Sequence, residues 1–263
     1  MRNTYLKKLL KSSLARFDLA ITKKSFIDKM TSDSEVNHKI QFLKTLPDET
    51  VLDALKWIDR SHSQHMQDLF VLAECGFKTR GFFVEFGATD GVEISNSFLL
   101  EKEFAWNGIL AEPARIWHNE LRKNRLASIE MNCVWSTSGE ILSFVQANRP
   151  VLSTLEQFSD SDSHAADRDD GDSYSVKTIS LNDLLVKHQA PRKIDYLSID
   201  TEGSEFEILS AFDFETYDVG IITVEHNHSI MREHLYDLLT KQGYRRKMEN
   251  VSMCDDWYVK ETV

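Results

Sequence analysis

Little in this chain of 263 residues could hold a fold together other than an ordinary hydrophobic core. It has only three cysteines, Cys75, Cys133 and Cys254, widely spaced and without a C-x-x-C pair. That excludes a disulfide framework and a cysteine-held zinc cluster, and suits thiols kept reduced in a cytoplasm. Four prolines and ten glycines are too few for a fibrous or low-complexity chain. No stretch approaches the ~20 apolar residues of a spanning helix, and the N-terminus lacks the apolar core and small-residue cleavage site of a secretory signal. The expectation is a cytoplasmic protein. Basic charge is also short, with 31 Lys and Arg against 42 Asp and Glu and a net charge of -11. Broad electrostatic capture of nucleic acid is therefore not expected.

What is present is ordinary globular composition, 41% hydrophobic and 28% charged, at a length that buries one substantial core with room for a helical appendage. Residues 1–24 place Leu6, Leu9, Leu10, Leu14 and Phe17 at helical spacing among Arg2, Lys7, Lys8, Lys11, Arg16, Lys23 and Lys24. This reads as a basic amphipathic helix packed on the core; the alternative is a weak peripheral foot on anionic lipid at the inner membrane surface. Residues 35–60 and 64–77 read as further helices, the second with Met66, Leu69, Phe70 and Ala73 on one face. The expected organisation is an N-terminal helical extension over 1–60 and one domain over 61–263.

From Gly81 the period changes. Short apolar runs at Gly81–Phe86, Gly108–Glu112, Ile129–Val134, Ile194–Asp200 and Val219–Glu225 alternate with amphipathic segments. This predicts a parallel sheet covered on both faces, with ligands beyond the carboxyl ends of its strands. Ser159–Ser173 stands apart, with six aspartates and Arg168 as its one basic residue. It reads as a mobile surface loop, with a lid or a loose cation site as alternatives; its spacing does not match a calcium loop.

Three strand ends carry acids. In Glu85-Phe86-Gly87-Ala88-Thr89-Asp90-Gly91 a carboxylate precedes a turn of small residues that lets a ligand approach the backbone. Thr89 occupies the second glycine position of a G-x-G-x-x-G loop, which disfavours a pyrophosphate. S-adenosylmethionine suits such a site, with Glu85 toward its ammonium and the 87–89 backbone toward its carboxylate; a strand-to-helix turn without a ligand is the alternative. Glu112, followed by Pro113, is placed to take the hydroxyls of a ribose. Asp200 ends a third apolar strand, with Glu202 and Glu205 close behind it; Glu205 suits the stabilisation of a helix N-terminus as well as a functional role. After the strand that ends at Glu225, His226, ahead of His228, is the candidate base for a hydroxyl nucleophile, against the alternative of a hydrogen-bonded loop histidine.

The succession Ser63-Gln64, Gln67-Asp68, Gly81 to Glu85, Gly87 to Gly91, Ser95-Asn96-Ser97, Trp106 to Ile109 and Glu112-Pro113 resembles the N-terminal half of FkbM-type methyltransferases. Ile179 to Leu185, Asp200 to Glu205, Val224-Glu225 and Gly243-Tyr244 resemble that family's later landmarks. The resemblance covers about residues 63–260. It implies a doubly wound, seven-stranded, mostly parallel α/β sheet and S-adenosylmethionine as donor, held by the Glu85 loop and Glu112. It also implies a hydroxyl acceptor on a sugar, glycan or related metabolite. By the same resemblance Val134 and Trp135 flank the adenine and Asn96 supports the donor loop. The competing readings are a nicotinamide-dependent oxidoreductase and a non-catalytic methyltransferase-like module. A metal-assisted variant using Asp200 with Glu225 or Asn227 lacks a clear ligand set, so no metal is assigned.

Overall fold

The structure, a computed structural model, describes residues 24–161 and 164–261. The helix read over 1–24, and with it the lipid-contact reading, falls outside the described residues save for Lys24. Two compact units divide at Lys44/Thr45, ahead of the 60/61 boundary expected. The described part of the first is helix α1 (Lys24–Thr45). The second begins with α2 (Asp48–Trp57), so the helix expected over 35–60 is two helices. Pro47 explains the break: it has no N–H to give the preceding turn and holds an extended ψ of 141°, while Asp48 and Glu49 then start α2 with charges that suit its N-terminus.

The chain continues through α3 (Gln67–Glu74), β1 (Phe82–Phe86), α4 (Phe98–Phe104), β2 (Asn107–Ala111), α5 (His118–Asn124) and β3 (Ser128–Glu130). Then come β4 (Cys133–Trp135), β5 (Ile141–Gln146), β6 (Thr154–Leu155), the single turn α6 (Ala165–Arg168) and β7 (Asp172–Ser180). The last part is α7 (Leu181–Lys187), β8 (Lys193–Ile199), α8 (Glu205–Ser210), β9 (Asp218–Glu225), α9 (Met231–Lys241), β10 (Tyr244–Lys247) and β11 (Asp255–Lys260). None of the described helices is long and apolar enough to cross a membrane.

Seven strands form one sheet in the order β10-β11-β9-β8-β1-β2-β3, parallel except for the pairings of β11 with β9 and β10. The fold is the doubly wound α/β class. Strand β1 lies at the centre, with Val84 opposite both Ile109 and Leu197, which is why it reads as a nearly unbroken apolar run. Val84, Phe86, Ile109, Leu197, Ile222 and Val224 bury one face against Leu184 and Leu185 of α7, Leu209 of α8 and Leu235 and Leu239 of α9. On β11, the buried Trp257 stacks on Phe70 of α3 with ring centroids 4.7 Å apart. Chain order reverses between β1 and β8, the topological switch at which such sheets open a crevice.

The strand expected over Ile129–Val134 is two strands in different sheets. Glu130 Oε1 accepts the backbone N–H of Met131 and of Asn132, each at 3.0 Å, and so turns the chain out of the main sheet. Strand β4 then joins a small sheet of order β4-β7-β5-β6. The acidic segment between β6 and β7 is anchored rather than free at its described centre. Arg168 is buried, donating to the carbonyls of Leu152 at 2.7 Å and Ser159 at 3.2 Å and pairing with Glu202 at 2.8 Å.

A second buried guanidinium shapes the turn after β1. Arg125, its side chain wholly buried, pairs with Glu101 at 3.1 Å and lies 3.8 Å from Glu85. It also donates to Ser95 Oγ at 3.0 Å, Ser97 Oγ at 2.8 Å and the Gly91 carbonyl at 3.1 Å. Removing one side of a buried ion pair strands the other charge without water. Arg125→Met is therefore expected to lower unfolding free energy by about 3–5 kcal/mol. Urea unfolding followed by circular dichroism checks this; a loss under ~1 kcal/mol, the usual size for an exposed pair, would contradict it.

Candidate functional site

A cleft of about 620 Å³ opens at the carboxyl ends of β1, β2 and β8. One wall is polar, with Thr89, Glu112, Asp200 and Glu202; the small sheet supplies the opposite, apolar wall with Val134, Phe144 and Leu155.

The turn after β1 is tied to both neighbouring strands. Gly87 donates to the Ala111 carbonyl at 3.1 Å, and its φ of +71° is one that side chains disfavour. A Cβ there would stand 2.1 Å from the Asp200 carbonyl oxygen, so only glycine lets these two turns touch. Thr89, at φ 47°, donates its backbone N–H to Glu112 Oε2 at 2.8 Å. Glu112 Oε1 accepts from Ala114 N–H at 2.7 Å. Each oxygen of this carboxylate thus spends one lone pair on the backbone and keeps another. Pro113 also lines the cleft.

Glu85 is placed differently from the expectation. Its carboxylate is buried and accepts from Asn96 N–H at 2.7 Å, Ser95 Oγ at 3.1 Å and Ser97 Oγ, with Arg125 alongside. It does not line the cleft. It folds the segment 95–97 back under the turn, and any influence on a ligand passes through that turn. Asn96 joins the same arrangement, its Nδ2 donating to Ser198 Oγ on β8 at 2.9 Å. Ala88, Asp90 and Gly91 also stand outside the lining. Ala88 is buried, Asp90 Oδ1 caps the turn by accepting from Val92 and Glu93 N–H, and Gly91 packs against Leu121 and Arg125. Of the pair expected beside an adenine, Val134 lines the cleft; Trp135 does not, and its ring lies 6.0 Å from that of Phe158.

After β8 the chain turns sharply at Glu202, φ 58°, and Gly203. Glu205 shapes this turn, accepting from the N–H of Thr201 at 2.9 Å and of Gly203 at 3.1 Å, which gives its carboxylate a structural task. Beyond the turn lies a second cleft of about 800 Å³, lined by Gly203, Glu225, His226 and Asn227 among others. Asp200, Glu202 and Glu225 each bring a carboxylate oxygen within 4.8 Å of the other two. Burial, then the surrounding acids, push the Asp200 and Glu225 carboxyls well above the usual range.

The imidazole expected to act as base does not present a basic nitrogen to a ligand. His226 is buried, its Nδ1 accepts the backbone N–H of His228 at 3.0 Å, and its Nε2 points toward Asp256 at 3.7 Å. Burial pushes it down to about 4, so it is neutral at physiological pH. His228 is exposed.

Two contributors went unread in the sequence: Arg168, which grips Glu202, and the small sheet that walls the cleft. The alternation of Leu142-Ser143-Phe144 and of Tyr174-Ser175-Val176-Lys177 is the period-two signal for its two longer strands.

Burial raises Glu112 to about 7, against an unfolded value near 4.5. The folded chain thus holds this proton more tightly, a stabilisation fully present below about 4.5 and lost as pH rises through about 7. Relative to Glu112→Gln, the wild type is expected to lose on the order of 3 kcal/mol between pH 4.5 and 8. Paired denaturant titrations across that range measure it; a difference independent of pH would rule it out.

The family described as Methyltransferase FkbM domain matches residues 85–246, more than half of the chain and all three acid-bearing turns that shape the cleft. No curated protein sequence matches it. Among solved structures, it is similar to a precorrin-6y C5,15-methyltransferase from Geobacter metallireducens GS-15, at 10% identity and a TM-score of 0.40, over 73% of this chain and 85% of that one. It is also similar to a methyltransferase FkbM from Methylobacillus flagellatus KT, at 10% identity and a TM-score of 0.41, over 86% of this chain and 59% of that one. On the strength of the family match across the residues that build the cleft, this chain belongs to the FkbM methyltransferase family.

Proposed function

We propose that this chain transfers the methyl group of S-adenosylmethionine to a hydroxyl oxygen of a sugar, glycan or related metabolite, as a cytoplasmic enzyme whose membrane contact, if any, is peripheral and made through residues 1–24. The observation that carries the donor assignment is Glu112. It is a buried carboxylate at the end of β2 whose two oxygens are each fixed by one backbone N–H and each retain a lone pair at the cleft. Two vicinal ribose hydroxyls are the complementary donors.

The rest of the cleft fits the same molecule. The side-chain-free turn at Gly87 leaves backbone open to the donor's amino-acid end, and Val134, Phe144 and Leu155 offer an apolar surface to adenine. Asp200 lines the same cleft, where its carboxyl oxygens offer acceptors to the donor's ammonium. When bound, the donor supplies an electrophilic methyl group. What the chain must then do is hold an acceptor oxygen in line with it and keep competing water away, and such positioning accounts for much of the rate. The second cleft, on the far side of the 200–205 turn, is the place for the acceptor.

Adenosylhomocysteine is expected to bind and raise the melting temperature, and Glu112→Ala to weaken its binding by roughly 1.5–3 kcal/mol, about 10- to 150-fold in Kd. Calorimetric titration on folded wild type and variant measures this. Absence of binding by the wild type, or a stabilising shift with a nicotinamide cofactor instead, would overturn the donor assignment. Transfer of radiolabelled methyl groups onto extracted glycans and lipids identifies the acceptor, and label that resists mild base but is lost on ether cleavage marks an O-methyl product.

A further inference from the structure

We propose that Asp200, Glu202 and Glu225 are the protein ligands of a hard divalent cation seated where the two clefts meet. Its role, though not its presence, rests on the hydroxyl-methylation reading.

The geometry comes from the sheet. Strands β8 and β9 are parallel, with Ile199 opposite Val224, so Asp200, just past β8, follows beside Glu225, the last residue of β9. The turn after Asp200 returns Glu202 to the same point, and the three carboxylates come within 4.8 Å of one another. Like charges placed opposite each other across neighbouring strands oppose folding unless something is held between them.

A second observation concerns Glu225 alone. Its residue is only 6% exposed, and its Oε2 is buried with no hydrogen-bond partner. A buried carboxylate oxygen left bare is costly. Among the described residues neither Asp200 nor Glu225 has a Lys, Arg or His within ion-pair distance. Arg168 is bound to Glu202. A cation between the three would occupy the bare oxygen and balance the excess negative charge.

The ligand chemistry selects the class. All three donors are carboxylate oxygens, which favour magnesium, manganese and calcium over the softer metals that take imidazole or thiolate. Opposed ligands stand ~4.2 Å apart around magnesium or manganese and ~4.8 Å apart around calcium. Carboxylate oxygens within 4.8 Å of one another can share one ion of this class. Asp200 and Glu202 line the first cleft and Glu225 the second, so the remaining coordination positions open toward both.

An acceptor hydroxyl bound there would ionise more readily, a service the buried, neutral His226 is not placed to perform. The O–H bond breaks and its proton passes to water. A lone pair of that oxygen forms the new O–C bond as the C–S bond breaks, leaving its electron pair on sulfur as a neutral thioether.

The test uses the full chain, stripped with chelator and titrated with Mn²⁺, free Mn²⁺ being read by electron paramagnetic resonance and Mg²⁺ and Ca²⁺ added as competitors. One Mn²⁺ per chain is expected, with Glu225→Gln and Asp200→Asn each lowering its affinity at least 10-fold. Adenosylhomocysteine affinity, measured on the same samples, should change only a few-fold in Glu225→Gln. A wild type that binds adenosylhomocysteine but no Mn²⁺ overturns the cation site and leaves the donor assignment standing. Binding of Mn²⁺ without adenosylhomocysteine does the reverse. Mn²⁺ binding that survives both substitutions places the ion elsewhere, as on the acidic 159–173 segment, and overturns the proposal. Variants that fail to fold are replaced by Glu202→Gln, read in the same way.

Discussion

Arg125 is a positive charge shut away from water, and the turn after β1 takes its shape from how that charge is met. Two serine hydroxyls, a glycine carbonyl and the Glu101 carboxylate receive its donors, and Glu85 lies alongside. The same serines donate to Glu85, so cation and anion are joined through shared hydroxyls. This arrangement holds 91–97 beneath the sheet edge, which leaves Gly87 and Thr89 to face the cleft. Whatever the cleft binds depends on a guanidinium that never touches it.

The acids at the strand ends show how environment assigns different work to one kind of side chain. Glu85 is saturated by backbone, hydroxyl and guanidinium donors and serves architecture. Glu112 is half satisfied, one bond to each oxygen, and keeps capacity for a ligand. Glu205 spends itself on the turn between the clefts. Among the described residues Asp200 and Glu225 have no Lys, Arg or His in ion-pair distance and face each other and Glu202, and that shortage of partners distinguishes a site from a brace. Strand-end position is common to most of them; the number of donors already aimed at each carboxylate separates their roles.

Much of this was legible beforehand, for reasons that also mark where reading stopped. Parallel strands buried on both faces leave nearly continuous apolar runs, so β1, β2, β8 and β9 stood out with their terminal acids. The division of Ile129–Val134 between two sheets did not, because a side chain bonding to the next two backbone N–H groups leaves no periodic trace. The setting of His226 was not legible because its burial comes from β11 and the residue before it, which bring Asp256 and the Cys254 carbonyl beside it from far along the chain. Glu85 looked like a ligand because its partners, Ser95 to Ser97 and Arg125, return to it only through tertiary folding. Pro47, by contrast, was a visible helix stop that the apolar spacing around it outweighed.

The contact between Gly87 and the Asp200 carbonyl carries a consequence for how such an enzyme diversifies. Main chain touches main chain there, so the spacing between the two polar edges of the cleft rests on the backbone and on the glycine that permits the contact. The apolar wall is different, since it is carried by the small sheet, whose strands are joined by long surface segments. A change of length or charge in those segments would reshape the apolar wall and leave the Gly87–Asp200 contact untouched. The cleft thus sets a fixed gauge against an interchangeable fitting.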